Sequence, residues 1–320
     1  MKKLTLFFCL LLVTSKTINA QHDNFSKLNG TYLGQKQPEM TPEIFAPEIL
    51  SVDKYPHGHL TFSKDGKTIY WSAYPKGKSN QTIFLSTFDE KNLSYPVRAT
   101  FAAYSGNGGP AISYDGKRLF FSAELSSISS ASRKPFAICY VEQVEGRWSE
   151  PIIIESTIDT VMTKGQVSVS KNGNIYFSGR MFNERTPTIF ICKYENGKYL
   201  KPEKLSGLIT ELPLLVDPWI DPDERFLLCS IPGESGLLML TDIGISSKQS
   251  DGTWSKPIRI GGEVNTNYFE RFPSLSPDGK FLFFIRSTSE RFVGEGAHFY
   301  WVSTKYFEDL KPKEKYNQSR

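Results

Sequence analysis

Apolar runs of three to five residues recur along the chain, each introduced by the same short polar phrase. The phrase reads Ser63-Lys64-Asp65-Gly66-Lys67, Ser113-Tyr114-Asp115-Gly116-Lys117, Ser170-Lys171-Asn172-Gly173, Asp221-Pro222-Asp223-Glu224 and Ser276-Pro277-Asp278-Gly279-Lys280. Asp-Gly and Asn-Gly tolerate the positive φ of a tight hairpin, so each phrase predicts a turn. The runs that follow, such as Thr68-Ile69-Tyr70-Trp71, Leu119-Phe120-Phe121 and Phe281-Leu282-Phe283-Phe284, predict strands buried on both faces. A third strand is legible in each unit, at Thr82-Leu85, Phe136-Tyr140, Thr188-Ile191, Leu237-Leu240 and His298-Val302. A fourth is marked by an apolar residue three before a proline: Trp148 and Pro151, Tyr199 and Pro202, Trp254 and Pro257, Leu93 and Pro96. Proline fits there because an outermost strand has one unpaired edge.

The turns advance from position 65 to 115, 172, 223 and 278, in steps of 50, 57, 51 and 55 residues. That period suits the four-stranded antiparallel blade of a β-propeller. Glycine and proline interrupt the chain too often for long helices, so the fold class is all-β. Ile44-Phe45-Ala46-Pro47 precedes the first turn, and nothing similar follows the last third strand. The N-terminal strand, around Phe45 to Leu50, is therefore expected to complete the last blade and close the ring. Five blades are counted; a degenerate sixth is the alternative.

Outside the repeats, residues 1–20 have the parts of a signal peptide: Lys2 and Lys3, an apolar stretch from Leu4 to Val13, and Ala20 before the expected cleavage. The apolar stretch is too short for a spanning helix, so no transmembrane anchor is expected. A periplasmic or secreted location follows. Residues 21–40 read as a polar arm, 41–310 as one propeller and 311–320 as a charged tail. Losing Lys2, Lys3 and Lys16 lowers the formal charge from +4 to +1, which leaves no basic surface for nucleic acid. Cys139, Cys192 and Cys229 lie in strand-like apolar runs and read as core residues.

The Ser-Pro-Asp-Gly-Lys-aromatic phrase, fullest at Ser276 to Phe284, resembles the PD40, or WD40-like, repeat of TolB-type periplasmic propellers. Tyr32-Leu33-Gly34-Gln35-Lys36, Thr41 to Pro47 and Tyr300-Trp301-Val302-Ser303 look like the borders of a group of secreted propellers common in Bacteroidetes. The resemblance implies a fold, not a reaction, since such propellers include interaction scaffolds and sugar-acting enzymes. The fourth phrase departs from the pattern with Asp221 and Glu224, which predicts a wider turn.

In a propeller the innermost strands line a channel, and the loops leading into them form a funnel. Aligning the turns places His57, His59, Asn107, Gln166, Asp217, Trp219, Glu270 and Arg271 there. They are the candidate ligand site, with a protein or a glycan as ligand. His57 and His59 lack an evident third metal ligand, so no metal or other cofactor is expected. Asp217 and Glu270 could serve as the two carboxylates of a glycosidase or lyase-type enzyme, or Asp217 could order its own turn or pair with Arg271. No catalytic motif is recognisable. A monomeric, non-catalytic binding propeller is the first reading and a carbohydrate-active enzyme the alternative.

Overall fold

The computed structural model describes Tyr32 and residues 35–312, except 89–93, 103–105, 107, 125–135, 159–160, 182–183, 235–239 and 289–293. The expected signal peptide, most of the arm and residues 313–320 lie outside the described residues. Within them are five antiparallel blade sheets, one per turn phrase, and a two-stranded hairpin of Tyr194–Glu195 with Lys198–Tyr199. Blade 1 pairs Lys54–Pro56 and Thr61–Phe62 with Thr68–Pro75, then adds Thr82–Thr87 and Val97–Arg98. Blade 2 runs Gly108–Ile112, Arg118–Glu124, Phe136–Val144, Ile152–Ile153, and blade 3 Met162–Val169, Ile175–Arg180, Thr188–Cys192, Glu203–Lys204. Blade 4 runs Val216–Ile220, Phe226–Pro232, Thr241–Ser247, Ile258–Arg259. Blade 5 takes Phe269–Leu275, Phe281–Ser287 and Ala297–Ser303 from late in the chain, and Glu43–Ile44 from its start.

The turn phrase specifies its hairpin through contacts spanning at most five residues. Gly66 N–H reaches Ser63 O at 2.9 Å, Asp65 accepts Ser63 Oγ at 2.5 Å and Lys67 N–H at 3.0 Å, and Thr68 N–H returns to Ser63 Oγ at 2.8 Å. Blades 2 and 5 repeat the set at Ser113/Asp115 and Ser276/Asp278. The fourth turn is not wider. Glu224 N–H bonds Asp221 O at 2.8 Å and Glu224 takes φ +57°, the conformation glycine holds elsewhere. Its carboxylate, buried but held by Asn174 and Lys248, stays charged there, with its pKa lowered by those bonds against the burial that would raise it. Those contacts tie the strained residue down.

The prolines sit ahead of the outer strands rather than inside them. Pro42, Pro96, Pro151, Pro202 and Pro257 immediately precede the two residues that pair with the third strand. A proline at a strand's start withholds an N–H the ladder does not use. A buried residue follows each outer strand, and its N–H bonds the third strand: Phe45 to Phe299, Ala99 to Ile83, Ile154 to Ile138, Leu205 to Ile189, Ile260 to Ile243, all at 2.8–3.1 Å. The repeat-equivalent proline at the N-terminus is thus Pro42, not Pro47. Pro47–Leu50 is a single helical turn that buries Ile49 and Leu50. The aromatics before these prolines reach the second strand of the preceding blade: Trp148 Nε1 donates to Tyr70 OH at 3.2 Å, and Tyr199 and Trp254 pack on Phe120 and Tyr176 at 6.1 and 6.2 Å.

Blade 4 differs in another respect. Its third strand is Thr241–Ser247; Leu237 to Met239 lie outside the described residues, and Leu240 only precedes the strand. Two of its buried polar residues are held from neighbouring segments, Asp242 by Arg259 at 2.7 Å and Ser246 by Ser255 O at 2.7 Å.

Five apolar clusters fill the five junctions between blades. The junction of blades 5 and 1 gathers Phe45, Ile49 and Leu50 with Phe62, Trp71, Phe283 and Trp301. There Phe45 meets Phe283 at 4.9 Å and Trp301 at 5.1 Å, while Glu43 and Ile44 face Trp301 and Tyr300 across the ladder. Tyr32 adds a bond of 2.6 Å to Asp278. Cys139, Cys192 and Cys229 are buried free thiols, two of them pushed up by burial to about 12 and about 11.

Candidate functional site

Each inner strand carries a defect at the same place. Register shifts fall at Gly108/Ala111, Val216/Trp219 and Arg271/Ser274, and Gly109, Asp217 and Phe272 hold φ of +64°, +54° and +58°. Such a bulge re-aims a side chain out of the strand's alternation. His59, Gly109, Gln166, Asp217 and Phe272 occupy equivalent positions, four before each turn phrase. They meet at the centre of the ring. Gly109 cannot be larger, since a Cβ there would lie 2.5 Å from Gln166 Oε1.

The central groups are bonded to one another. Arg271 donates through Nε and Nη2 to both oxygens of Asp217, at 2.7 and 2.9 Å, and Ser230 Oγ donates to Asp217 Oδ2 at 2.8 Å. Asp217 N–H donates to Ser178 Oγ at 2.7 Å, His59 N–H to Gln166 Oε1 at 3.2 Å, and His59 Nε2 lies 3.4 Å from Asp217 O. The Arg271 guanidinium also covers the Phe272 ring at 4.6 Å, and His57 packs edge-on to Phe272 at 4.8 Å. Together these residues make a polar plug across the channel.

Glu270 is not part of the plug. Fully buried, it accepts Arg286 Nε at 2.8 Å and Thr266 Oγ1 at 2.6 Å within blade 5; burial raises its pKa although Thr266 and Arg286 oppose that. Asp217 and Glu270 are thus each bound to a different arginine. His57 and His59 both pack edge-on against the Phe272 ring, at 4.8 and 6.3 Å, and His59 also meets the Asp217 backbone. Trp219, half-buried, packs on Phe226 at 6.0 Å, and Asn107 lies outside the described residues.

Two cavities flank the plug. The funnel expected at the loops leading into the inner strands is the smaller, enclosing 220 Å³ and lined by His57, Gln166, Asp217, Arg271 and others. The larger, 1020 Å³, opens on the opposite face among the hairpin turns, with His59 and Trp219 at its wall. Strand exits and turns make this basin: Lys64, Tyr114, Asp223, Asp278 and, from the last 3-10 turns, Glu308. The repeated turn phrases themselves supply much of its wall, each blade contributing three to seven residues.

Burial pushes both histidines down to about 4, His57 further opposed by Arg271 and His59 partly supported by Asp217. They are neutral in the folded protein while an unfolded histidine titrates near 6.5. Their depressed values contribute stability that is present above pH 6.5 and lost as pH falls toward 4, on the order of 3 kcal/mol per histidine. Denaturant unfolding should therefore show lower stability at pH 5 than at pH 7.5, and the two imidazoles should show no NMR titration above pH 5. Imidazoles that titrate near 6.5 in the folded protein would contradict the buried plug.

The comparisons agree with this architecture. No family model matches the sequence, and no curated protein matches it. Solved structures do match. A thermostable family-43 glycoside hydrolase aligns at a TM-score of 0.50, 11% identity, over 77% of this chain and 88% of that one. TolB from Acinetobacter baumannii aligns at 0.49 and 14% identity, over 77% of this chain and only 56% of that one. A protein of unknown function from Dyadobacter fermentans aligns at 0.48 and 12% identity, over 86% and 85%. The shared property is the fold.

Proposed function

We propose that this chain is a periplasmic or secreted propeller of the PD40 type, entering that compartment through a cleaved signal at residues 1–20, and that it works as a monomer by binding a protein or glycan. The supporting observation is the contrast between the two parts of the channel. The plug holds its charged groups in mutual bonds, whereas the 1020 Å³ basin is open and mixed in character, with Trp219 and Tyr114 offering aromatic surface between charged rims. Apolar surface with a few placed polar groups is the usual composition of a ligand site. Glycoside hydrolysis by Asp217 and Glu270, the alternative, needs one carboxylic acid and one carboxylate acting on a single bond. Here each is fixed by its own arginine. Among the described residues, no helix is long and apolar enough to cross a membrane.

The test is a screen of the protein lacking residues 1–20 against glycans and cell-envelope extracts. A ligand whose affinity falls about tenfold or more in the exposed Tyr114→Ala variant, with wild-type melting, is the expected result. Glycoside cleavage that disappears in Glu270→Gln would replace the binding reading with the enzymatic one.

A further inference from the structure

The smaller cavity, on the side of the plug away from the basin, has a chemistry of its own. Its titratable lining groups are Arg180, Arg185, Arg271, Asp217 and His57. Asp217 is the sole carboxylate among them, and Arg271 and Ser230 already satisfy it. His57 is neutral. Arg180 ends the second strand of blade 3 and gives one N–H to Glu184 O at 2.8 Å, while the Glu184 carboxylate is bound by Lys204 instead. Among the described residues that line the cavity, no carboxylate pairs with Arg180 or Arg185.

The uncharged lining also favours donors. Ser178 Oγ accepts the Asp217 amide, which leaves its own proton to give. Gln166, nearly wholly buried, uses its oxygen on His59 N–H and so presents its NH2 end as a donor. Gly165 and Gly179 line the floor, and a Cβ on Gly165 would lie 2.4 Å from Ser178 Cβ, so glycine there keeps Ser178 close to the cavity. Guanidinium forks match carboxylate and phosphate oxygens in a bidentate manner. Drug-sized ligands occupy about 300–1,000 Å³, so a 220 Å³ space admits a smaller body.

We propose that this cavity binds a small oxyanion-bearing molecule, a carboxylate or phosphate on a body no larger than one sugar ring, held by Arg180 and Arg185. The site is separate from the basin, so it stands or falls independently of what the basin binds. The chemistry is shared by sugar acids and by phosphorylated metabolites, and the probes separate them.

Glucuronate, inorganic phosphate and neutral glucose would be titrated into the protein lacking residues 1–20, by calorimetry, with sodium chloride matching the ionic strength. The proposal expects saturable binding of glucuronate or phosphate, none of glucose, and an affinity loss of about tenfold or more in Arg180→Gln and in Arg185→Gln. Glucuronate alone would point to a sugar acid, phosphate alone to a phosphorylated ligand. Melting temperatures of both variants should match the wild type, since neither residue lies in a blade junction. Binding of neither anion, equal binding in the variants, or an effect reproduced by chloride would overturn the site.

Discussion

A chain that starts at Ser51 is expected to lose the sharp thermal transition of the whole ring, not only the order of one blade. The truncation removes Glu43 and Ile44 from the ladder of blade 5 and takes Phe45, Ile49 and Leu50 out of the junction with blade 1. Phe45 alone is fully buried against Phe283 and Trp301. Replacing a buried phenylalanine by alanine costs about 3–5 kcal/mol, a large part of the 5–15 kcal/mol that holds a typical domain folded. Phe45→Ala should accordingly lower the melting temperature by roughly 10 °C, and the truncation should broaden or abolish the transition. Calorimetry of both proteins checks this. A sharp, unshifted transition in the truncated chain would mean that the ring closes without its N-terminal strand.

Asp217→Asn is expected to destabilise the fold by about 2–4 kcal/mol. Asparagine accepts the left-handed backbone at this position, so the loss reports on charge rather than strain. Removing one member of a buried ion pair leaves the other charge uncompensated, and that penalty runs to about 3–5 kcal/mol for full loss. Asparagine keeps an oxygen for Arg271, which moderates it. Adding Arg271→Met should restore part of the loss, because the stranded guanidinium goes with it. Equilibrium denaturation of the two proteins separates the cases. Unchanged stability in the single variant, together with lost ligand binding, would make Asp217 a recognition group rather than part of the plug.

These residues also show what a sequence can reveal. The turn phrases were legible because Ser63 and Asp65 complete their bonds within five residues, so local spelling determines local shape. The ion pair of Asp217 with Arg271 was one of the alternatives open from the spacing of the blades. The role of Glu270 was not legible, since its partner Arg286 sits on the next strand and nothing in the spelling favours an inward over an outward direction. Thr241–Ser247 is less legible than the more apolar Leu237-Leu240 because Asp242 and Ser246 look exposed until Arg259 and Ser255 are seen beside them. The prolines announced the outer strands, but whether a proline opens or closes a two-residue strand depends on the register of its neighbour. Arg180 and Arg185 carried no signal, as arginines near strand ends are ordinary on any surface.

The blade shared by both ends of the chain also sets an order of events in time. Tyr32 and Asp278, bonded in the finished ring, are 246 residues apart in sequence. During synthesis Glu43 and Ile44 emerge ahead of every other described strand, whereas Ala297–Ser303, their partner, comes last of them. Four blades are thus made before the ring can shut, and until then an apolar strand edge is left without its mate. Unmatched edges of this kind are where chains associate wrongly. Contacts between distant segments also form slowly. The seam that makes the finished molecule cooperative is therefore the point at which a newborn chain is most in need of protection.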